Sequence, residues 1–146
     1  MVLMPGVFDP LSAMLAERAG FPAVFVSGYA LAASHLGVPD FGILTQTELV
    51  AAVRRITAAV SVGVVVDGDT GYGGPLNVQK LVRELRSAGA MGVVLEDQTW
   101  PKRCGHMRGK SVVEAEEHAA KVRAAADARD GERFIITART DALETD

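Results

Sequence analysis

Val62-Gly63-Val64-Val65-Val66 is apolar from end to end and runs straight into Asp67-Gly68-Asp69-Thr70-Gly71. A strand apolar at every position is covered on both faces, the habit of parallel sheets flanked by helices. Leu76 to Ala88 follows, with Val78, Leu81, Val82 and Leu85 at helical spacing and Lys80, Arg83, Glu84 and Arg86 on the other side. Met91-Gly92-Val93-Val94-Leu95 then reads as the next strand. The same alternation extends outward in both directions. Upstream lie a strand at Val2-Leu3-Met4, a helix from Pro10 to Ala19 closed by Gly20, a strand at Ala23 to Ser27, and a mixed stretch from Gly28 to Leu44. A helix then opens on the capping-box pattern Thr45-Gln46-Thr47-Glu48. Downstream, the spacing predicts a long helix over Val112 to Arg129 and a fifth strand at Phe134 to Ala138.

Alternating strands and helices imply parallel pairing with right-handed crossovers. Two architectures satisfy this: an open doubly wound sheet, complete at this length, or a (β/α)8 barrel. The second needs roughly 230 residues or more, so 146 residues make up only a portion of one. A non-catalytic five-strand binding module and a flavodoxin-like regulator stand beside the enzyme reading; strand order decides the second, and oligomeric state with a pyruvate-release assay the first.

Composition narrows the functions. The net charge is −3, a poor match to a phosphate-tracking nucleic-acid binder. No apolar run reaches the length of a membrane span, and the first residues lack the basic and apolar regions of a signal peptide. A single cysteine excludes an intrachain disulfide and suggests a reducing, cytoplasmic setting.

Polar residues gather where strands end, the place where parallel α/β folds bind ligands. Strand two ends at Ser27-Gly28, strand three at Asp67 and Asp69, strand four at Glu96-Asp97, and strand five at Arg139-Thr140-Asp141. Residues two apart in a strand share a face, so Asp67 and Asp69 are expected to project together. Oxygen donors of this kind suit a hard divalent cation. Gly71-Tyr72-Gly73-Gly74-Pro75 has neither Walker nor dinucleotide spacing and reads as a tight turn rather than a phosphate loop.

After strand four comes Trp100-Pro101-Lys102-Arg103-Cys104-Gly105-His106-Met107-Arg108-Gly109-Lys110. One Cys and one His do not make a zinc site. Five basic residues surround the thiol, an environment that favours a thiolate. The segment reads as a lid with glycine hinges at 105 and 109. His118, among Glu114, Glu116 and Glu117, reads as solvent-facing, His35 as structural, and Trp100 as packing.

The ordered motifs Met4 to Asp9, Ser27-Gly28, Leu36 to Asp40, Asp67 to Gly71, Glu96-Asp97-Gln98, Lys102 to His106 and Ala138 to Asp141 resemble the isocitrate lyase/phosphoenolpyruvate mutase superfamily. The resemblance covers nearly the whole chain. It implies an α/β fold, a (β/α)8 TIM barrel present here as an incomplete N-terminal portion of about five βα units, with residues 1–146 forming that partial domain. It implies Mg²⁺ or Mn²⁺ held by Asp69 most directly, by Asp67 and Glu96 largely through water, and with Asp40 near the same network. It implies a small di- or tricarboxylate substrate, its carboxylate or oxyanion held by Ser27, Gly28, Tyr29 and Arg139. Gly105 and His106 would join them from the lid, and Cys104 would be the acid/base, with Lys102, Glu96 and His106 beside it.

The family's mutase branch lacks this cysteine, which favours a carbon–carbon lyase acting on 2-hydroxy or 2-oxo dicarboxylates. Phosphonate-forming mutases are the alternative. Members assemble as homotetramers that exchange C-terminal helices, and the same is expected of the parent of this chain. Strands six to eight are absent from the 146 residues, so a fragment, or completion by another chain, is expected.

Overall fold

A computed structural model describes residues 1–144. Five strands form one sheet: β1 (Gly6–Val7), β2 (Ala23–Val26), β3 (Gly63–Asp67), β4 (Gly92–Glu96) and β5 (Ile135–Arg139). All pairs are parallel and the order is β1-β2-β3-β4-β5. A doubly wound sheet reverses its order at a switch point. This sheet never does, so the open-sheet and flavodoxin-like alternatives are excluded, and the strands follow the sequential course of a barrel wall.

Helices cover one face: α1 (Pro10–Arg18), α2 (Gly28–Leu31) continuing into a π-helical turn at Ala32–Leu36, α3 (Gln46–Thr57), α4 (Pro75–Ser87) and α5 (Ala115–Ala128). Val24, Val26, Val64, Val66, Val93 and Leu95 point toward them. They form one core with Leu49, Val53, Ile56, Leu81, Val82 and Leu85. The alternate positions, Phe25, Asp67, Glu96 and Arg139 among them, face the other way. The ladder sets Glu96 beside Arg139 and Phe25 beside Val65. The α3 capping box is present: Thr45 Oγ1 accepts from the Glu48 amide and Glu48 accepts from the Thr45 amide. Asp9 and Ser12 cap α1 in the same reciprocal way.

Several boundaries differ from the sequence expectation. The first strand is Gly6–Val7 rather than Val2–Met4; Val2 and Leu3 are exposed. Pairing decides this, because Gly6 lies opposite Phe25 and the same register carries residues 2 and 3 past Ala23, the start of β2. Helix α5 begins at Ala115, since Val112 bridges Gln98 and the Val113 amide donates to the Asp97 carbonyl. β5 is not covered on both faces: Ile135 is half exposed, as are Leu11, Met14 and Leu15 on α1. No helix among the described residues is long and apolar enough to cross a membrane.

Candidate active site

The strand register puts Asp67, Glu96 and Arg139 last in β3, β4 and β5. They open onto a cavity of about 440 Å³ that is also lined by Phe25, Ser27, Tyr29, Asp40 and Asp141, and from the lid by Lys102, Cys104, Gly105 and His106. A larger cavity of about 600 Å³ lies between Thr45, Tyr72, Trp100 and Lys121 and has none of Asp67, Glu96 and Arg139 in its lining.

Asp69 reaches the cluster by a route that strand alternation does not describe. Its φ is 48°, in the left-handed region, so the chain has already turned. The turn is held by the Asp69 amide donating to Asp67 Oδ1 at 3.2 Å. Gly28 donates its amide to Asp67 Oδ2 at 3.3 Å, and a β-carbon there would sit 3.2 Å from the same oxygen. The close approach of the first residue of α2 to the Asp67 carboxylate therefore favours glycine. Ser27 lines the cavity, but its Oγ caps α2 by accepting from the Ala30 amide. Tyr29 is more than half exposed at the cavity mouth.

Lys102 is the buried cation of the site, at 3% exposure. Its Nζ lies 2.7 Å from both Asp40 carboxylate oxygens and 2.6 Å from Asp69 Oδ1. Burial alone lowers an ammonium pKa; Asp69 first, then Asp40, outweigh it, and Lys102 is held above its ordinary value. This alters the expected ring of positive charge around the thiol. Lys102 is spent on carboxylates, Lys110 Nζ donates to the Gly105 carbonyl at 2.6 Å, and the Arg103 guanidinium donates to the Arg108 carbonyl. The free Cys104 thiol is half-buried.

The acids remain under-neutralised. Burial, then Asp67, raises Asp69 to about 6, with Lys102 offsetting part of the effect. Burial raises Glu96 to about 8; Lys102 and Arg139 pull it down, Asp67 and Asp69 push it up. Glu96 Oε2 lies 3.5 Å from Arg139 Nη1, and Oε1 is buried with no hydrogen-bond partner. That orphaned oxygen and an all-carboxylate donor set fit a hard divalent cation. As the side chains stand, no three acidic, histidine or cysteine groups among the described residues converge on one ion. The Lys102 ammonium takes the position between Asp40 and Asp69.

The chain matches the family model described as Phosphoenolpyruvate phosphomutase across residues 1–146. It belongs to that family. Within the phosphoenolpyruvate phosphomutase family it is 66% identical to petal death protein of Dianthus caryophyllus over 142 residues, 97% of this chain and 45% of the relative. It is 48% identical to 2,3-dimethylmalate lyase of Eubacterium barkeri, over 99% of this chain and 50% of the relative. A crystal structure of 2,3-dimethylmalate lyase superposes with a TM-score of 0.95 at 39% identity, covering 99% of this chain and 49% of that one. A phosphonopyruvate hydrolase solved with oxalate and Mg²⁺ superposes at 0.88 and 37% identity, covering 98% and 48%. The chain thus spans about half the length of the family members it matches.

Four residues to which the sequence reading gave no site role, Tyr72, Asp97, Gln98 and Asp141, hold the cluster's side chains and backbone. Tyr72 donates its hydroxyl to Asp69 Oδ2 at 3.1 Å. The glycine-rich stretch around it is the expected tight turn, with positive φ at Gly71, Tyr72 and Gly73. Asp97 accepts from the Thr140 hydroxyl and the Asp141 amide, and Gln98 and Asp141 join the lid to β5. An Asp or Gln after a strand looks like ordinary loop sequence; only the β5 neighbour reveals its use. His35 is exposed, away from the cavity. His118 is not solvent-facing: both ring nitrogens are buried without a partner, and burial lowers its pKa. It shares the inner face of α5 with Lys121, Ala125 and Ala128. Trp100 is half exposed, its ring against Gly42 and 6.4 Å from that of Tyr72.

Proposed function

We propose that this chain is the site-bearing part of a divalent-metal-dependent carbon–carbon lyase acting on 2-hydroxy or 2-oxo dicarboxylates of the 2-alkylmalate, 2-methylisocitrate or oxaloacetate type. The observation that carries the reading is one cavity flanked by Asp67, Glu96 and Arg139 from three strand ends and by Cys104 from the lid. The five strands are then the first of an eight-stranded barrel. A homotetramer with exchanged C-terminal helices and a cytoplasmic setting belong to the same proposal, on family resemblance.

Mg²⁺ or Mn²⁺ would be held by Asp69, with Asp67, Glu96 and Asp40 around it. When bound it supplies positive charge to the substrate's 2-oxygen and neighbouring carboxylate. Arg139, with the backbone and side-chain groups of Ser27, Gly28 and Tyr29, grips the carboxylate or oxyanion end. Gly105 and His106 close over it. The hydroxyl proton passes to the carboxylate floor, with Glu96 ionised because a bound cation would lower its pKa. The C2–C3 bond breaks, C2 becomes the carbonyl of a 2-oxo acid, and the electron pair stays on C3 as the enolate of the leaving acid. Cys104 gives its proton to C3, and the lid with Lys102 and His106 keeps water out.

The test is release of a 2-oxo acid from 2-alkylmalates by the full chain with Mn²⁺. Cys104→Ser is expected to lower turnover by about 10²–10⁴-fold, the usual worth of a positioned acid, with Mn²⁺ affinity unchanged. Unaltered turnover rejects the thiol's role. Phosphonate rearrangement without malate cleavage transfers the protein to the mutase alternative.

A further inference from the structure

We propose that Gln98 is a positioning residue that latches the lid to the arginine of the floor. The inference rests on the lyase reading and adds how its two halves are kept in register. Gln98 sits two residues beyond Glu96 and is 1% exposed. Its side-chain amide meets both backbone groups of Arg103. Oε1 accepts from the Arg103 amide at 2.9 Å, and Nε2 donates to the Arg103 carbonyl at 3.0 Å. This two-point clasp does for the lid what a neighbouring strand does in a ladder, one residue before Cys104. The second Nε2 hydrogen goes to Asp141 Oδ2 at 2.8 Å. Both donor hydrogens and an acceptor lone pair are thus in use, which only an amide of this length supplies.

Asp141 is the other end of the latch. It is buried, and it accepts from Arg139 Nη2 at 2.8 and 3.1 Å. Its own backbone amide donates to Asp97 Oδ1 at 2.9 Å, which fixes the carboxylate from behind. One carboxylate therefore sets the direction of the guanidinium and receives the lid's anchor. The lid also lies on that guanidinium directly: a β-carbon on Gly105 would overlap Arg139 Nη2. The stems of the lid are closed by the Gln98–Val112 bridge and by the Thr99 amide donating to the Ser111 carbonyl at 2.8 Å. With its base pinned there, the loop reaches Cys104 through the Gln98 side chain.

The experiment uses the full chain with Gln98→Leu, Asp141→Asn and the double variant. Three readouts apply: trypsin cleavage at the lid's basic residues without ligand, oxalate affinity with Mn²⁺, and kcat and KM on a 2-alkylmalate. With Gln98→Leu, lid cleavage is expected to rise at least about tenfold and oxalate to bind about tenfold more weakly. For kcat a fall of about 100-fold is expected, the cost of a misplacement near 1 Å, with a smaller change in KM. Asp141→Asn keeps the side chain's shape and should move the same readouts in the same direction, so the latch stays testable if Gln98→Leu does not fold. The double variant should add less than twofold to the loss of oxalate affinity, because both changes open one link. Lid cleavage within twofold of wild type in a folded variant, or fully additive losses, would overturn the latch. A wild-type chain that neither cleaves malates nor binds oxalate counts against the lyase reading; the trypsin result still decides the latch.

Discussion

The floor of the cavity and the lid above it are built on opposite principles. The floor, at the ends of β3, β4 and β5, is held by a parallel ladder and a Val/Leu core, and most of its polar groups are acids. The lid, Thr99 to Ser111, contains no acid, carries five basic side chains, and is held by buried polar contacts from Gln98, Lys102 and Lys110. Apolar packing gives the floor its rigidity; charge and hydrogen bonds give the lid its address. The lid places an ammonium between Asp40 and Asp69, so its position and the charge state of the floor are linked.

The sharpest way to break this comparison is Lys102→Met. It leaves Asp40 and Asp69 buried without their cation, a change expected to cost about 3–5 kcal/mol, read by urea denaturation. A variant as stable as wild type would mean that the lid does not neutralise the floor. Next comes pH. Glu96 has a folded pKa of about 8 against an ordinary 4.5. The native state therefore holds this proton more tightly than the unfolded chain. Stability from Glu96 is full below about pH 4.5 and is lost progressively as pH rises to about 8. Metal-free protein should lose a few kcal/mol across that window, and Glu96→Gln should flatten the slope; an equal slope in the variant refutes the assignment.

A third comparison sets a floor glycine against a lid glycine. A β-carbon on Gly68 would lie 2.9 Å from the Val94 carbonyl oxygen. Gly68→Ala should cost about 1–3 kcal/mol by overpacking, seen as a lower thermal midpoint. Gly105→Ala meets the Arg139 guanidinium rather than backbone, so it should lower the thermal midpoint less than Gly68→Ala does while oxalate binding weakens. Equal effects on stability would erase the distinction between floor and lid. A single-bond effect is expected from Tyr72→Phe, which removes one hydrogen bond to Asp69 and should cost about 1 kcal/mol by denaturant titration.

The floor was the more legible half. β3 and β4 stand out as apolar runs, Thr45 to Glu48 announces α3, and Asp67, Glu96 and Arg139 follow from reading strand ends. The lid was legible as a basic, cysteine-bearing insert, but not its contacts. Nothing local marks Lys102 as the buried cation while Arg103 beside it stays near solvent. Nor does anything local mark Gln98 and Asp141, 43 residues apart, as partners. His118 was legible and misread: its spacing to Lys121 and Ala125 puts it on the inner face of α5, whereas its glutamate neighbours suggested solvent.

By itself, then, the sequence determined the alternation of strand and helix, the helix caps, and the acids and arginine at the strand ends. These depend on residues within a few positions of each other, through periodicity, backbone preference and capping. The tertiary structure alone decided the strand order, the start of β1, the left-handed turn that delivers Asp69, and the pairing of Lys102 with Asp40 and Asp69. Those depend on groups far apart in the chain, whose meeting is fixed by ladder register and by the cost of leaving a buried charge without a partner.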